Sequence, residues 1–135
     1  MNRDEEHLKL LSIFHYVAGG LTGFFACIPI FHLIFGIVML VIGLTETSGE
    51  EVFAVLLFGF FFALIPAFFI LCGWTLAVCL IISGRYLARK ERYKFCFAIA
   101  CVSCVLMPYG TVLGVFTIIV LMRSSVKELF VEAAA

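Results

Sequence analysis

Residues 95–122 read FCFAIACVSCVLMPYGTVLGVFTIIVLM, from Phe95 to Met122 without one Asp, Glu, Lys or Arg. Arg92 and Lys94 precede the run, Arg123 and Lys127 follow it, and Pro108-Tyr109-Gly110 stands at its centre. Pro fixes φ, Gly permits positive φ, and Tyr favours a membrane–water interface, so the triplet reads as a turn. Lys and Arg are retained on the cytoplasmic side of a membrane, so a run flanked by them at both ends crosses an even number of times. The expectation is two short helices, about 90–107 and 110–123. Residues 95–107 supply only about 20 Å of helix, so the first of the two has to begin in the basic segment, with its long side chains reaching the surface. The alternative is one kinked crossing that leaves the C-terminus outside.

The same reading extends to the rest of the 135 residues. Hydrophobic residues make up 64% and charged residues 13% of the chain, where soluble proteins average about 45–50% and 25%. That surplus of apolar surface points to lipid as the solvent. With nine basic and nine acidic residues there is no net field to attract nucleic acid. Two further uncharged runs occupy 10–44 and 52–84. The first would be about 52 Å long as helix, against a bilayer core of about 30 Å. A bend at Gly19-Gly20 resolves the excess. It divides an amphipathic interfacial helix over 2–16 from a crossing over 17–44 that is kinked at Pro29.

Asn2 or Asp4 caps the interfacial helix, and its apolar face is Leu8, Leu11, Ile13, Phe14 and Val17. Glu46, Glu50 and Glu51 mark an outer loop in which Thr47 or Ser48 caps the next helix. That helix, 52–86, is kinked at Pro66. Arg85, Arg89, Lys90, Arg92 and Lys94 against Glu91 make the strongest orientation signal, a cytoplasmic loop that also suits anionic lipid headgroups. The expected fold is all-α, a polytopic four-helix transmembrane bundle with an N-terminal interfacial helix and both termini cytoplasmic. The acidic start does not fit a cleavable signal peptide, and residues 131–135 read as a frayed tail or an expression remnant.

Candidate chemistry is sparse. His15 and His32 are the histidines inside the apolar runs, and an ionisable group there invites a functional reading. They are 17 residues apart, about 25 Å along one helix, so they share no ligand unless the chain folds back. His15, beside Tyr16, reads as interfacial. His32 reads as a neutral imidazole bonded to a neighbouring helix, with haem ligation or proton relay as the alternative. Cys101-Val-Ser-Cys104 is a C-x-x-C such as quinone-linked membrane disulfide oxidoreductases, the vitamin K epoxide reductase type among them, place near a membrane surface. The 45–51 loop has no cysteine to relay electrons, and spacing of three is also ordinary helix packing. All six cysteines lie in apolar runs, which argues against a disulfide framework, and no Cys or His pairs stand at zinc-ligand spacing. No metal and no cofactor is therefore expected, haem or quinone being the alternative.

Small residues recur at packing distance: Gly19 and Gly23, Gly110 and Gly114, Gly59, Ala63 and Ala67, and Gly73 with Ala77. Such rows let helix backbones approach in lipid, within one chain or between copies. No phosphate loop, nucleophile elbow, zinc-protease helix or dinucleotide fingerprint is present.

The segments Ser83-Gly-Arg-Tyr-Leu-Ala-Arg-Lys and Met107-Pro-Tyr-Gly-Thr-Val-Leu-Gly resemble small bacterial integral membrane proteins that carry a G-R-x-L-A-R basic turn followed by P-x-G-T-x-L-G. The resemblance covers about half the chain. It implies a bacterial inner-membrane location and brings no catalytic residues. The function expected is that of a structural, accessory or regulatory membrane subunit, probing lipid and further copies of itself rather than a substrate; the protein partner is not named by any motif. A homo-oligomeric channel is one alternative, a haem- or quinone-linked redox protein another.

Overall fold

The computed structural model describes residues 3–45, 49, 51–105 and 109–134, helical almost throughout and with no strand among them. The helices are α1 (Arg3–Phe25), α2 (Ile30–Thr45), α3 (Glu51–Arg89), α4 (Tyr93–Ser103), α5 (Tyr109–Leu121) and α6 (Ser124–Ala134). Two stretches, Arg3–Thr45 and Glu51–Arg89, are long and apolar enough to cross a membrane, and a third is added if α5 and α6 count as one span. The proposed caps Asn2, Thr47 and Ser48, together with Glu46, Glu50 and Pro108, lie outside the described residues. Gly49 has φ of 99°, the positive value that turn chemistry calls for.

The chain divides into two compact units, one of Met1–Leu21 with Leu76–Ala135 and one of Thr22–Thr75. In the first, Leu8, Leu11, Leu80, Leu87, Cys96, Leu113, Leu121 and Val126 are core members drawn from α1, α3, α4, α5 and α6. The start of α1 runs antiparallel to the end of α3: Gly19 sits against Ala77 and Ile81, and Ser12 and His15 sit against Gly84. Residues 2–16 therefore do not form a separate interfacial helix. They are the first turns of α1, which continues through Gly19-Gly20 without the expected bend, and the turn falls instead at 26–29, before and at Pro29. Leu8, Leu11, Ser12 and His15 face inward, while Ile13, Phe14 and Val17, expected on the buried face, are exposed.

The opening run folds as two helices. The Tyr93 hydroxyl donates to the Leu121 carbonyl at 2.9 Å, and the Thr111 hydroxyl to the Cys104 carbonyl at 2.8 Å. Gly114 lies on Ala100 and Cys104 between them. Residue numbers fall along α5 as they rise along α4, which makes the pair antiparallel. Helix α4 starts at Tyr93 rather than near 90 because Lys90 and Arg92 take left-handed φ values of 58° and 48°. The start of α1, the end of α3 and the end of α5 meet at one polar end, where Glu5 pairs with Lys90 and Asp4 with Arg123, the latter at 3.2 Å. Both pairs are partly exposed, so they contribute about 0–1 kcal/mol each and act mainly on register. Beyond Leu121 the chain bends by 78° into α6. Helix α6 buries Val126 and Phe130 and continues to Ala134, so 131–134 are helical rather than a frayed tail.

In the second unit α2 lies antiparallel to the first half of α3. A Cβ on Gly36 would stand 2.5 Å from Ala63 N and Phe62 C, and one on Gly59 would stand 3.0 Å from Leu40 N. Gly43 meets Leu56 and Val55, and Gly73 meets Ala26. Pro66 is buried inside α3, which carries on through it. Lacking an N–H, Pro66 leaves the Phe62 carbonyl without its helical donor, and that carbonyl faces Gly36. The large side chains point the other way: Phe31 is 79% exposed and Phe53 74%.

Candidate functional site

Polar groups of the uncharged helices collect where α1 crosses α3 in the first unit. Gly84 lets the helices touch, since a Cβ there would lie 3.0 Å from Ser12 O and 3.1 Å from His15 Cβ. The Ser12 hydroxyl donates to the Gly84 carbonyl at 2.7 Å. His15 Nδ1 lies 2.9 Å from the Leu11 carbonyl. A carbonyl only accepts, so Nδ1 carries the proton and Nε2 presents a lone pair. Nε2 is buried and has no hydrogen-bond partner among the described residues, as is true of Ser83 Oγ. Ser103 and Thr117, also buried, donate to Ile99 and Leu113 carbonyls of their own helices at 2.7 Å each. His15 is thus not interfacial as expected but sealed in the core, and an enclosed Nε2 offers no open face to a haem iron.

This seam makes a stability prediction. His15→Ala removes a fully buried ring and is expected to cost about 2–4 kcal/mol through the cavity it leaves. His15→Leu fills most of that volume and removes the unpartnered acceptor, so its thermal midpoint in detergent is expected within a few degrees of the parent or above it. A His15→Leu midpoint as low as that of His15→Ala would mean that the imidazole does more than pack.

The other candidates are dispersed. His32 is exposed on α2 and, instead of bonding to a neighbouring helix, stacks on Phe62 with ring centroids 6.2 Å apart. It borders a groove of about 510 Å³ with Phe58, Phe61, Phe62, Ile65 and Pro66. His15 and His32 belong to different units. Cys101 is exposed and Cys104 half-buried, both as free thiols, and the Cys104 thiol donates to the Ala100 carbonyl at 3.3 Å. Among the described residues no three His, Cys, Asp or Glu side chains gather as metal ligands.

Of the small residues, Gly19, Gly59, Ala63, Gly73, Ala77 and Gly114 all take part in helix contacts within the chain. Gly110 is buried in α5, Ala67 is half-buried, and the Gly23 carbonyl accepts from the Cys27 thiol at 3.4 Å. Gly36, Gly43 and Gly84 escaped the search for spacing of four. Gly36 and Gly43 are seven residues apart, two turns of helix, and that longer spacing was the available signal. In the basic segment Arg85, Arg89 and Lys94 are exposed, Lys90 pairs with Glu5, and Arg92 lies 5.6 Å above the Tyr86 ring.

No protein-family model, curated protein or solved structure matches the chain.

Proposed function

We propose that the chain is a multi-pass integral membrane protein of a bacterial inner membrane, working as a structural or accessory subunit by assembling with further copies of itself rather than by catalysis. The observation that carries this reading is the outer surface of Thr22–Thr75. There α2 and α3 pair through glycine and turn Phe31, Phe53, Phe58, Phe68 and Leu71 outward, each more than half exposed. Soluble monomers rarely expose apolar patches beyond about 300–600 Å², so lipid or a second copy covers this one. The small-residue rows are engaged inside the chain, which leaves the phenyl-rich face for contact between copies. The positive-inside rule supports a cytoplasmic 85–94 segment with both termini on that side, and the Glu5–Lys90 and Asp4–Arg123 pairs fit that arrangement. Four crossings, two of them short, are the topology this reading takes.

Single-molecule photobleaching of the labelled protein in liposomes tests it at high lipid dilution. Multi-step bleaching is expected, with Phe58→Ala/Phe61→Ala shifting the population toward single steps. Single-step bleaching throughout, or release of the protein from membranes by alkaline carbonate, would overturn the reading.

One observation favours a second reading. The groove beside His32 has the size and aromatic lining of a small-molecule site with a single polar group. A quinone ring would stack on phenyl groups there and accept a hydrogen bond from the imidazole. Binding of a short-chain quinone, lost in His32→Ala, is the expected result on that reading.

A further inference from the structure

A second groove, of about 890 Å³, runs between the 90–93 segment and α6. Its polar wall carries Lys90, Arg92 and Lys127 against one acid, Glu91, and its apolar wall is formed by Phe130 and Val131. Lys90 is taken by Glu5, whereas Arg92 and Lys127 have no ion pair among the described residues. Two cations thus stand beside apolar side chains with a single carboxylate opposing them. The bend of 78° between α5 and α6 fixes the level of the groove. With α5 across a bilayer, α6 lies along its surface, and the groove opens among the headgroups.

We propose that this groove holds an acidic phospholipid, its phosphate on Arg92 and Lys127 and its glycerol and first methylenes along Phe130 and Val131. A free phosphate would match the two cations but would leave the apolar wall wet; a lipid satisfies both walls at once. The surface helix expected at the N-terminus is found at the other end of the chain, where it forms one side of a lipid site. The proposal rests on the membrane reading above.

The full chain in nanodiscs of mixed phosphatidylglycerol and phosphatidylcholine, released into native mass spectrometry, tests it. The parent is expected to retain phosphatidylglycerol over phosphatidylcholine by roughly tenfold or more, the effect of two surface cations. Arg92→Gln/Lys127→Gln is expected to lose that preference. Arg85→Gln/Lys94→Gln, which removes the same charge outside the groove, is expected to keep it, as is Arg92→Lys/Lys127→Arg. Val131→Glu sets a carboxylate on the exposed apolar wall and is expected to lower retention with both cations in place. Equal retention of the two lipids by the parent, or equal loss in the two neutralised pairs, would overturn the site. So would displacement of the lipid by millimolar inorganic phosphate, which would identify a free-phosphate site instead. Alkaline extraction of the same preparation separates the two readings: a protein that stays in the membrane without lipid preference sinks only this proposal.

Discussion

Gly36→Ala is expected to destabilise the α2–α3 pair by about 1–3 kcal/mol, the ordinary cost of forcing one methyl group into a closed contact. Its Cβ would lie 2.5 Å from two backbone atoms of the Phe62–Ala63 peptide, and backbone cannot rotate aside as a side chain can. The helices have to part, losing dispersion contacts along the whole crossing, and in lipid nothing compensates because the apolar solvent wets both sides equally. Gly20→Ala is the control on the same chain, since a Cβ there meets nothing within 4 Å. It relieves the glycine penalty of a helix, about 0.8–1.0 kcal/mol in water, and is expected to leave the melt unchanged or raise it. Circular dichroism melts in one detergent compare the two directly. Gly36→Leu is expected to fail to give a folded monomeric peak on gel filtration. Coincident melts for the parent, Gly36→Ala and Gly20→Ala would show that this contact is not tight in the protein.

The second large effect is all-or-none. Single cysteines at Lys94→Cys and Met122→Cys, in a background with the natural cysteines changed to Ala, are expected to react with an impermeant maleimide from the same face of sealed vesicles. Val105→Cys, exposed just beyond α4, is expected to react from the opposite face. The antiparallel contacts Tyr93–Leu121 and Cys104–Thr111 require this pattern of any membrane-inserted form of the hairpin. Labelling of residues 94 and 122 from opposite faces would mean one through-going helix and would remove the four-crossing topology.

The hairpin was legible because three signals agree at one place: basic residues at both ends of 95–122, a run too long for one turn of chain, and Pro-Tyr-Gly between. The burial of α1 was not. Reading Ile13, Phe14 and Val17 as the inward face follows the rule for water, where the largest apolar side chains are hidden first. The observed inward face is Leu8, Leu11, Ser12, His15, Ala18 and Gly19, while Phe14 and Val17 point out. Where lipid is the solvent, hiding a phenyl group gains little, and close backbone approach and hydrogen bonds decide which face turns inward. Gly84 and Ser12 are partners 72 residues apart, and no local pattern announces such a pair. Gly36 and Gly43 were concealed for a different reason: the facing residues that make them necessary, Phe62 and Leu56, belong to another helix. The histidines drew attention by type, yet type does not distinguish a ring closed into a core from one stacked on an exposed phenyl group.

Helices α4 and α5 contain 11 and 13 residues, which is about 17 and 20 Å of rise against a hydrocarbon core of about 30 Å. A bilayer that hosts such a hairpin has to pinch inward beside it, and each ångström of pinch costs a fraction of a kcal/mol. Two copies placed side by side share one pinched rim instead of paying for two. The shortness of this hairpin is therefore a source of attraction between copies that needs no matching surface, and it strengthens in thicker membranes.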